Sequence, residues 1–177
     1  MVENEVIAWS EKSFLKWSDF KAEHNASIFE DSRSTIQYRF TWTLNSDNKD
    51  GKIVFLIEDI LLFVEFHPLL SSVRVSCETD ELLKHEQGHF DLAELVKNEN
   101  LEQFYKKFYN KIFPTRGKNE EQRKQLAKED SGKMIVSEIE KLSELLQKRS
   151  EDYDVQTDFG QNQEKQKEFD LIFNELH

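Results

Sequence analysis

The feature that most constrains the fold is a change in the period of the apolar residues near residue 79. Within residues 34–44, apolar and polar side chains alternate strictly from residue 36 onward, and a period of two predicts a strand with one buried face. The apolar positions are Ile36, Tyr38, Phe40, Trp42 and Leu44. After residue 79 the apolar residues recur every three or four positions, which predicts helices. We therefore expect one α+β domain over residues 1–177, with mainly strands in residues 1–78 and mainly helices in residues 79–177.

The strand half is expected to contain an antiparallel hairpin. The turn-forming sequence NSDNKDG at residues 45–51 separates the alternating segment from a second apolar run at residues 52–66, and this layout is typical of a hairpin. The acidic pair Glu58-Asp59 is expected to interrupt the second arm. Weaker patterns predict a third strand at residues 71–77, an edge strand at residues 5–9 and a short helix or turn at residues 17–22.

The helix half is expected to contain three helices. Thr79 or Asp80 can cap the first one, and Pro114 and Gly117 mark a break before the second. The expected bounds are residues 79–98, continued or restarted by residues 101–113, then residues 119–149 and residues 161–176, with a polar loop at residues 150–160. The apolar stripe of the second helix is formed by Ile135, Ile139, Leu142 and Leu146.

One motif in the sequence is typical of a catalytic metal site. Residues 85–89 read HEQGH and match the pattern H-E-x-x-H. Residues four apart on an α-helix differ by about 40° in direction, so His85 and His89 point the same way. Such a pair can hold a metal ion, and zinc is the usual choice. Glu86 lies about 100° around the helix, where it can take a proton from a water that the metal polarises without filling a ligand position.

A zinc site needs a third protein ligand, and this helix does not supply one. Leu92, Ala93 and Val96 lie on the face of the histidines and are expected to bury it. Asp91 and Glu94 point away from His85 by roughly 120° and 180°. We expect these two carboxylates to be surface residues or to hydrogen-bond to the metal ligands without touching the metal. The third ligand must therefore come from another element.

Candidates for the third ligand are scattered along the chain. His24 and His67 lie in the strand half, where each is more typical of a structural or surface residue, and His177 is expected to be frayed. Glu138 borders the apolar stripe of the second helix, about 60° from Ile135, and could face the first helix. A solvated surface charge is the commoner role for a glutamate in such a position.

Composition argues against several classes of partner. The chain has 24 basic and 35 acidic residues and a net charge of −11, which disfavours nucleic acids, anionic membranes and strongly acidic peptides. The most apolar stretch, residues 53–66, is shorter than the roughly 20 residues that a spanning helix needs. The N-terminal sequence has no signal-peptide pattern and Cys77 is the single cysteine, so a cytoplasmic location is expected.

Three motifs together resemble a known family. Residues 81–95 read ELLKHEQGHFDLAEL, residues 17–20 read WSDF, and residues 153–160 read YDVQTDFG with Gln166 after them. They are similar to a leucine pair followed by HEQ-x-HFD-(I/L)-x-E, to W-x-D-F, and to Y-D-x-x-T-x-H-G with a downstream glutamine. These motifs occur in a domain-of-unknown-function family described as predicted bacterial zinc-dependent proteases. The resemblance spans nearly the whole chain.

The resemblance implies a zinc-dependent peptidase in which His85 and His89 hold the metal and Glu86 is the catalytic base. We expect a zincin-like fold, in which a small antiparallel sheet packs against the H-E-x-x-H helix and two further helices close the cleft. Tyr153 could hydrogen-bond a developing oxyanion, although packing is the commoner role for such a tyrosine. Proteins of this family are often exported, which conflicts with the cytoplasmic location expected above.

The late motif departs from the family pattern. Phe159 stands where the family typically shows histidine. If that histidine is the family's third ligand, Asp158 or Asp154 could take its place, or Glu138 could fill the position. The remaining possibility is a site that holds metal weakly in a protein that is no longer catalytic.

The leading hypothesis is a zinc metallopeptidase that acts on a peptide or protein substrate. Residues 73–77 are expected to form a strand that could align this substrate through backbone hydrogen bonds. One alternative is a catalytically degenerate member that binds a peptide or a protein in the same cleft. Another is a structural module in which the H-E-x-x-H pattern is fortuitous. The oligomeric state stays open.

Overall fold

The computed structural model describes residues 5–177 and shows a mixed α+β protein. Its strands are β1 (Ile7–Ala8), β2 (Ser32–Arg33), β3 (Ile36–Lys49), β4 (Lys52–Phe66), β5 (Ser72–Val73) and β6 (Phe113–Pro114). Its helices are α1 (Asp80–Phe108), α2 (Glu120–Thr157) and α3 (Gln163–Phe173), with 3₁₀ turns at Trp17–Asp19, Pro68–Leu70 and Asn174–Leu176. Within the described residues, β6 is the one strand that follows residue 79. The change in period therefore separates strands from helices as predicted.

The predicted hairpin is confirmed. Strands β3 and β4 pair antiparallel from Ile36 opposite Phe66 to Lys49 opposite Lys52. Strand β1 pairs with the end of β4, which confirms the predicted edge strand, and β6 pairs with its beginning. The sheet order is β1-β4-β3, so the outer edge of β3 has no partner strand among residues 5–177.

The third strand predicted at residues 71–77 is wrong in extent and in place. Only β5, Ser72–Val73, is a strand, and it pairs with β2 in a separate two-stranded sheet. The following residues turn, because Cys77 N donates to Arg74 O at 3.0 Å and Ser76 adopts a φ of 71°. The alternating pattern at residues 71–77 covers too few residues to show that a turn ends the strand after Val73.

A β-bulge, rather than a break, occurs at the acidic pair in the second arm. The register shifts so that Thr41 lies opposite Leu61 and Thr43 opposite Glu58, and Asp59 has a φ of 47°. One extra residue in β4 reverses which side chains face inward. The positions of β4 that belong to the hydrophobic core are Phe55 and Ile57 before the bulge and Ile60, Leu62, Val64 and Phe66 after it. The bulge thus keeps both halves of β4 facing the same core.

The helices pack on the inner face of this sheet. Tyr38 Oη donates to Ala93 O on α1 at 2.8 Å, and Trp42 Nε1 donates to Ser131 Oγ on α2 at 2.9 Å. Phe90 of α1 contacts Phe66 of β4 with ring centroids 6.0 Å apart. Helix α1 is consequently buried on several sides at once between the sheet, α2 and α3. Within residues 5–177, no helix combines the length and the apolarity that crossing a bilayer requires.

Helices α1 and α2 run antiparallel, and this arrangement brings the end of α2 to the H-E-x-x-H motif. Lys107 pairs with Glu138, and Arg149 pairs with Glu99, so residues late in α2 lie beside residues early in α1. The buried side chains of α2 include Ile135, Ile139, Leu142 and Leu146, which confirms the predicted stripe. Thr79 accepts a hydrogen bond from Leu82 N at 3.1 Å and caps α1 as predicted.

The polar loop predicted at residues 150–160 is wrong for most of its length. Helix α2 continues to Thr157, and Tyr153 and Thr157 are fully buried on the face that Leu146 begins. Leu146, Tyr153 and Thr157 have helical spacing in the sequence. A tyrosine and a threonine among charged residues do not, however, form an apolar stripe that predicts a helix. Helix α1 runs without a break to Phe108, so residues 101–108 continue it.

At Gly88 the helix α1 leaves no room for a side chain beside Tyr153 of α2. A Cβ atom at this residue would lie 2.1 Å from Tyr153 Oη and 3.1 Å from Phe173 Cε2. We therefore expect Gly88→Ala to lower the free energy of unfolding by about 1–3 kcal/mol through overpacking, although alanine is the better helix former. Urea unfolding measures the change. Gly132→Ala on α2 is the matched control, since a Cβ atom there would lie 3.2 Å from its nearest neighbour, the Trp42 ring. An equal loss of unfolding free energy in the two variants would contradict this account.

Candidate metal centre

Three side chains from two helices converge at the beginning of α1. His85 Nε2 lies 3.0 Å from Asp154 Oδ1, and His89 Nε2 lies 2.9 Å from the same oxygen. One ligand atom from each residue falls within 4.8 Å of the other two. Two imidazoles and one carboxylate are a donor set that zinc accepts, with a fourth position left for water or substrate. These residues therefore fit a metal ion.

Gln166 sets the orientation of the first imidazole. Its Oε1 lies 3.1 Å from His85 Nδ1, and its Nε2 donates to Asp170 Oδ1 at 3.0 Å. In the metal-free protein His85 Nε2 can donate to Asp154 Oδ1, whereas a neutral ring that donates its Nδ1 proton to Gln166 Oε1 has a lone pair on Nε2 facing the same carboxylate. A lone pair facing a carboxylate oxygen becomes favourable when a cation lies between them. The arrangement is the outer-shell support that metal-binding histidines commonly have.

Tyr153 packs against both imidazoles. Its ring stacks on His85 with centroids 4.6 Å apart and meets His89 edge-on at 5.0 Å. Its hydroxyl donates to His85 O at 3.2 Å and contacts Gln166, and burial raises the pKa of Tyr153 well above its usual range. Because the side chain is fully buried, Tyr153 has a packing role. Its hydroxyl already forms hydrogen bonds with His85 and Gln166.

The turn after α2 is shaped to fit over His85. Residues 158–160 all have positive φ, at 48° for Asp158, 52° for Phe159 and 85° for Gly160. A Cβ at Gly160 would lie 2.8 Å from His85 Cβ, so the close approach requires glycine. Phe159 lies at the edge of the centre and meets Phe29 with ring centroids 6.0 Å apart.

Glu86 is held by two serines that precede β3. Ser32 Oγ donates to one carboxylate oxygen at 2.5 Å, and Ser34 Oγ donates to the other. The side chain is only 3% exposed, yet it lines the cleft described below. Each carboxylate oxygen has a second lone pair that remains free to accept a proton. The serines fix this carboxylate beside the two imidazoles and leave each of its oxygens able to accept a proton.

The charges of the centre shift two pKa values in opposite directions. Burial favours the neutral form of His89, but the hydrogen bond to Asp154 and the negative charges of Glu86 and Asp154 outweigh it and raise the pKa of His89. Burial likewise opposes ionisation of Asp154, but hydrogen bonds from His85 and His89 outweigh it and hold the pKa of Asp154 well below its usual range. The site favours an ionised carboxylate among nitrogen ligands.

The other candidates for the third ligand lie apart from the two imidazoles. Glu138 is about 24 Å from Asp154 along α2, at 1.5 Å per residue over sixteen residues, and it pairs with Lys107 and Lys141. Asp158 lines the cleft but is outside the three-residue metal group. Of the oxygen ligands that the sequence left open, the structure brings Asp154 to the histidines.

The remaining histidines also lie outside the metal group. His24 and His67 belong to the strand half and are not part of the cluster. The prediction that His177 is frayed is wrong. Its Nε2 lies 2.9 Å from Asp91 Oδ1, and its ring stacks on Phe14 with centroids 4.7 Å apart.

Asp91 and Glu94 are not surface residues. They are 4% and 6% exposed. Asp91 Oδ1 accepts hydrogen bonds from Trp9 Nε1 and Gln87 Nε2, each at 2.9 Å, and Glu94 pairs with a lysine one turn along α1. Asp91 therefore ties the back of α1 to the N-terminal segment, on the side away from the imidazoles.

The metal group opens onto a cleft of about 1650 Å³. The cleft is bounded by residues 28–34, the beginning of β3, the first turns of α1, the last turns of α2 and the turn that follows α2. Ile36, Gln37 and Tyr38 bring the start of β3 to this cleft. The strand expected to align substrate, residues 73–77, does not do so as a strand, because only Val73 of that segment is in β5.

The sequence did not indicate every residue of the centre. Ser32 and Ser34 are more than 50 residues from Glu86 along the chain, and no periodicity or motif marks them. Gln166 was part of the resemblance to the family, but its role is visible only where α3 packs against α1. Comparisons of the chain with protein-family models, curated proteins and solved structures found no match.

The opposed pKa shifts predict how the stability of the metal-free protein depends on pH. The lowered pKa of Asp154 stabilises the fold above the unfolded pKa of about 3.9 and is lost as pH falls. The raised pKa of His89 stabilises it below the unfolded pKa of about 6.5 and is lost as pH rises through the folded value. Asp154→Asn should therefore cost most stability between about pH 4 and 6.5.

Urea unfolding with a chelator, repeated across pH 4.5–9, measures this difference. Asp158→Asn is the matched control, since it makes the same chemical change on an exposed residue four positions along the chain that does not bond to the two imidazoles. A cost for Asp154→Asn that stays constant from pH 4.5 to 9 would show that the pair with His89 does not titrate as the contacts imply.

Proposed function

We propose that this protein is a zinc-dependent hydrolase of peptide bonds. The observation that carries the proposal is the convergence of His85, His89 and Asp154 beside Glu86 in one large cleft. The likeness of its three motifs to the predicted zinc-dependent proteases supports the same function, and we propose membership of that family and a zincin-like arrangement on this basis. A cytoplasmic location and the absence of nucleic-acid and membrane partners remain predictions from the sequence.

The chain's own residues divide the chemistry between them. A zinc ion in such a site supplies a polarised water and a Lewis acid for the substrate carbonyl. Glu86 accepts the proton of the attacking water and returns it to the leaving amine. Ser32 and Ser34 hold the carboxylate in place during both transfers. Gln166 and Tyr153 keep His85 in one orientation.

The cleft suits a peptide better than a small molecule. Its volume of about 1650 Å³ exceeds the roughly 300–1,000 Å³ of ordinary small-ligand pockets. The start of β3, at Ile36–Tyr38, lines the cleft, and the outer edge of β3 lacks a partner strand among the described residues. An extended peptide can pair with such an edge through its backbone, which would lay a peptide bond near the metal group.

A non-catalytic binding module is the second candidate. Phe159 stands in place of the family's histidine and lies at the edge of the centre rather than in it. If Asp154 does not compensate for that exchange, the cleft would bind a peptide or a protein without cleaving it. The two functions share the cleft and differ in metal content and turnover.

The metal content of the purified chain tests the centre. We expect about one zinc per chain in the wild type, because a site with two histidines and one carboxylate is typical of catalytic zinc. His89→Ala and Asp154→Ala should each lose the metal, since either change removes one of three ligands. Elemental mass spectrometry after purification without a metal-affinity tag gives the stoichiometry.

Glu138→Gln is the control for metal content, because Glu138 pairs with Lys107 and Lys141 rather than with the imidazoles, and it should retain the zinc of the wild type. Circular dichroism verifies that the variants without metal remain folded. Absence of stoichiometric metal from the wild type, even after incubation with zinc, would favour the binding module.

The catalytic role of Glu86 is tested by Glu86→Gln. The amide keeps the shape and one oxygen acceptor but cannot take a proton, so kcat/KM for an unstructured protein substrate should fall by about a hundred- to ten-thousand-fold. Zinc should remain bound, because Glu86 is not a ligand. Retention of wild-type hydrolysis by a zinc-loaded Glu86→Gln protein would exclude this mechanism.

A further inference from the structure

We propose that the cleft selects peptides that carry a lysine or arginine side chain. This side chain would contact the rings of Phe29 and Phe159 and the neighbouring carboxylates of Glu30 and Asp158. The inference rests on the proposed function, since it names the substrate class of the same cleft. Its support is independent of the metal group. It comes from the charge of the cleft walls and from an exposed aromatic pair.

The walls of the cleft carry an excess of negative charge. Arg33 is the single lysine or arginine among the described residues that line it. Outside the metal centre, the lining carboxylates are Glu30, Asp31, Glu81, Glu151 and Asp158. Asp31 pairs with Arg74, whereas the other four form no ion pair within residues 5–177. A cleft lined by one sign of charge concentrates ligands of the opposite sign.

Two aromatic rings from distant parts of the chain meet at the rim of this cleft. Phe29 and Phe159 have centroids 6.0 Å apart and planes inclined by 70°. Phe29 is 84% exposed, so the pair presents a ring face to solvent rather than to the core. Cations bind favourably over such faces, and arginine does so most often.

Each ring stands next to a carboxylate in the sequence. Glu30 follows Phe29 and Asp158 precedes Phe159, and all four residues line the cleft. Asp158 and Phe159 both adopt left-handed backbone angles, which is costly for a phenylalanine and persists where the surroundings impose it. The turn after α2 therefore holds this ring and this carboxylate at the cleft in a backbone conformation that phenylalanine rarely adopts.

A cationic side chain satisfies both features at once. Its charge can lie over an exposed ring face and at the same time approach the unpaired carboxylates. A glutamate at the same place would meet repulsion from Glu30 and Asp158, and a neutral side chain would gain only the apolar contact. Each exposed ion pair or cation–π contact contributes up to about fivefold in affinity, so two such contacts should give a preference of roughly tenfold.

The experiment measures binding by the full chain with the Glu86→Gln substitution, loaded with zinc, so that no peptide is cleaved. Fluorescence anisotropy compares three sets of labelled octapeptides that are identical except at one scanned position, which is lysine, glutamine or glutamate. At the position that reaches the rings, we expect the lysine peptide to bind about tenfold more tightly than the glutamine peptide. The glutamate peptide should bind most weakly, and added salt should reduce the lysine preference.

Variants assign the preference to the proposed residues. Glu30→Gln with Asp158→Asn should remove most of the lysine preference, and asparagine still tolerates the left-handed backbone at residue 158. Phe29→Ala should lower it further without affecting the fold, because that side chain is exposed. Glu140→Gln with Glu144→Gln on α2 is the matched control. It removes the same charge from exposed residues outside the cleft and should leave the preference unchanged.

The outcomes separate this inference from the proposed function. Lysine preference in binding, together with wild-type chain that hydrolyses none of these peptides, would support the inference and contradict the hydrolase. Hydrolysis of lysine, glutamine and glutamate peptides at equal kcat/KM would support the hydrolase and overturn the inference. Equal binding of the three peptide sets, or a preference that survives the Glu30 and Asp158 substitutions, would also overturn it.

Discussion

The contact between Tyr153 and Gly88 is the constraint on which the rest of the centre depends. The absence of a side chain at Gly88 lets α2 approach α1 closely enough for the Tyr153 ring to stack on His85. The next residue along α2, Asp154, then faces both imidazoles. The hydroxyl of the same residue accepts a hydrogen bond from Gln166 Nε2 on α3, so a single buried side chain links the three helices around the H-E-x-x-H motif.

Local patterns predicted the elements whose signals are local. Strict alternation located β3, turn-forming residues located the hairpin, and the threonine cap located the start of α1 at Asp80. The H-E-x-x-H spacing placed His85 and His89 on one side of a helix before any tertiary contact was known. These features depend on backbone geometry within one element, which is why a sequence of this length displays them.

Tertiary packing decided what the sequence left open. The last turns of α2 are helical because Tyr153 and Thr157 are buried against α1 and the turn after α2, not because their own preferences are strong. The bulge at Asp59 exists because both halves of β4 must face one core. Ser32, Ser34 and Asp154 reach the motif from 52 to 69 positions away, and such pairs follow only from knowing how the elements pack.

The separation between the two histidines and Asp154 has a consequence for how the protein folds. The hairpin can form from neighbouring residues, whereas the contact between His89 and Asp154 joins positions 65 apart and the contact between His85 and Gln166 joins positions 81 apart. Contacts that close long loops are entropically costly and form slowly. The centre is therefore assembled when the last helices dock, and a nascent chain that has just exposed its H-E-x-x-H segment still lacks the carboxylate and the glutamine that complete it.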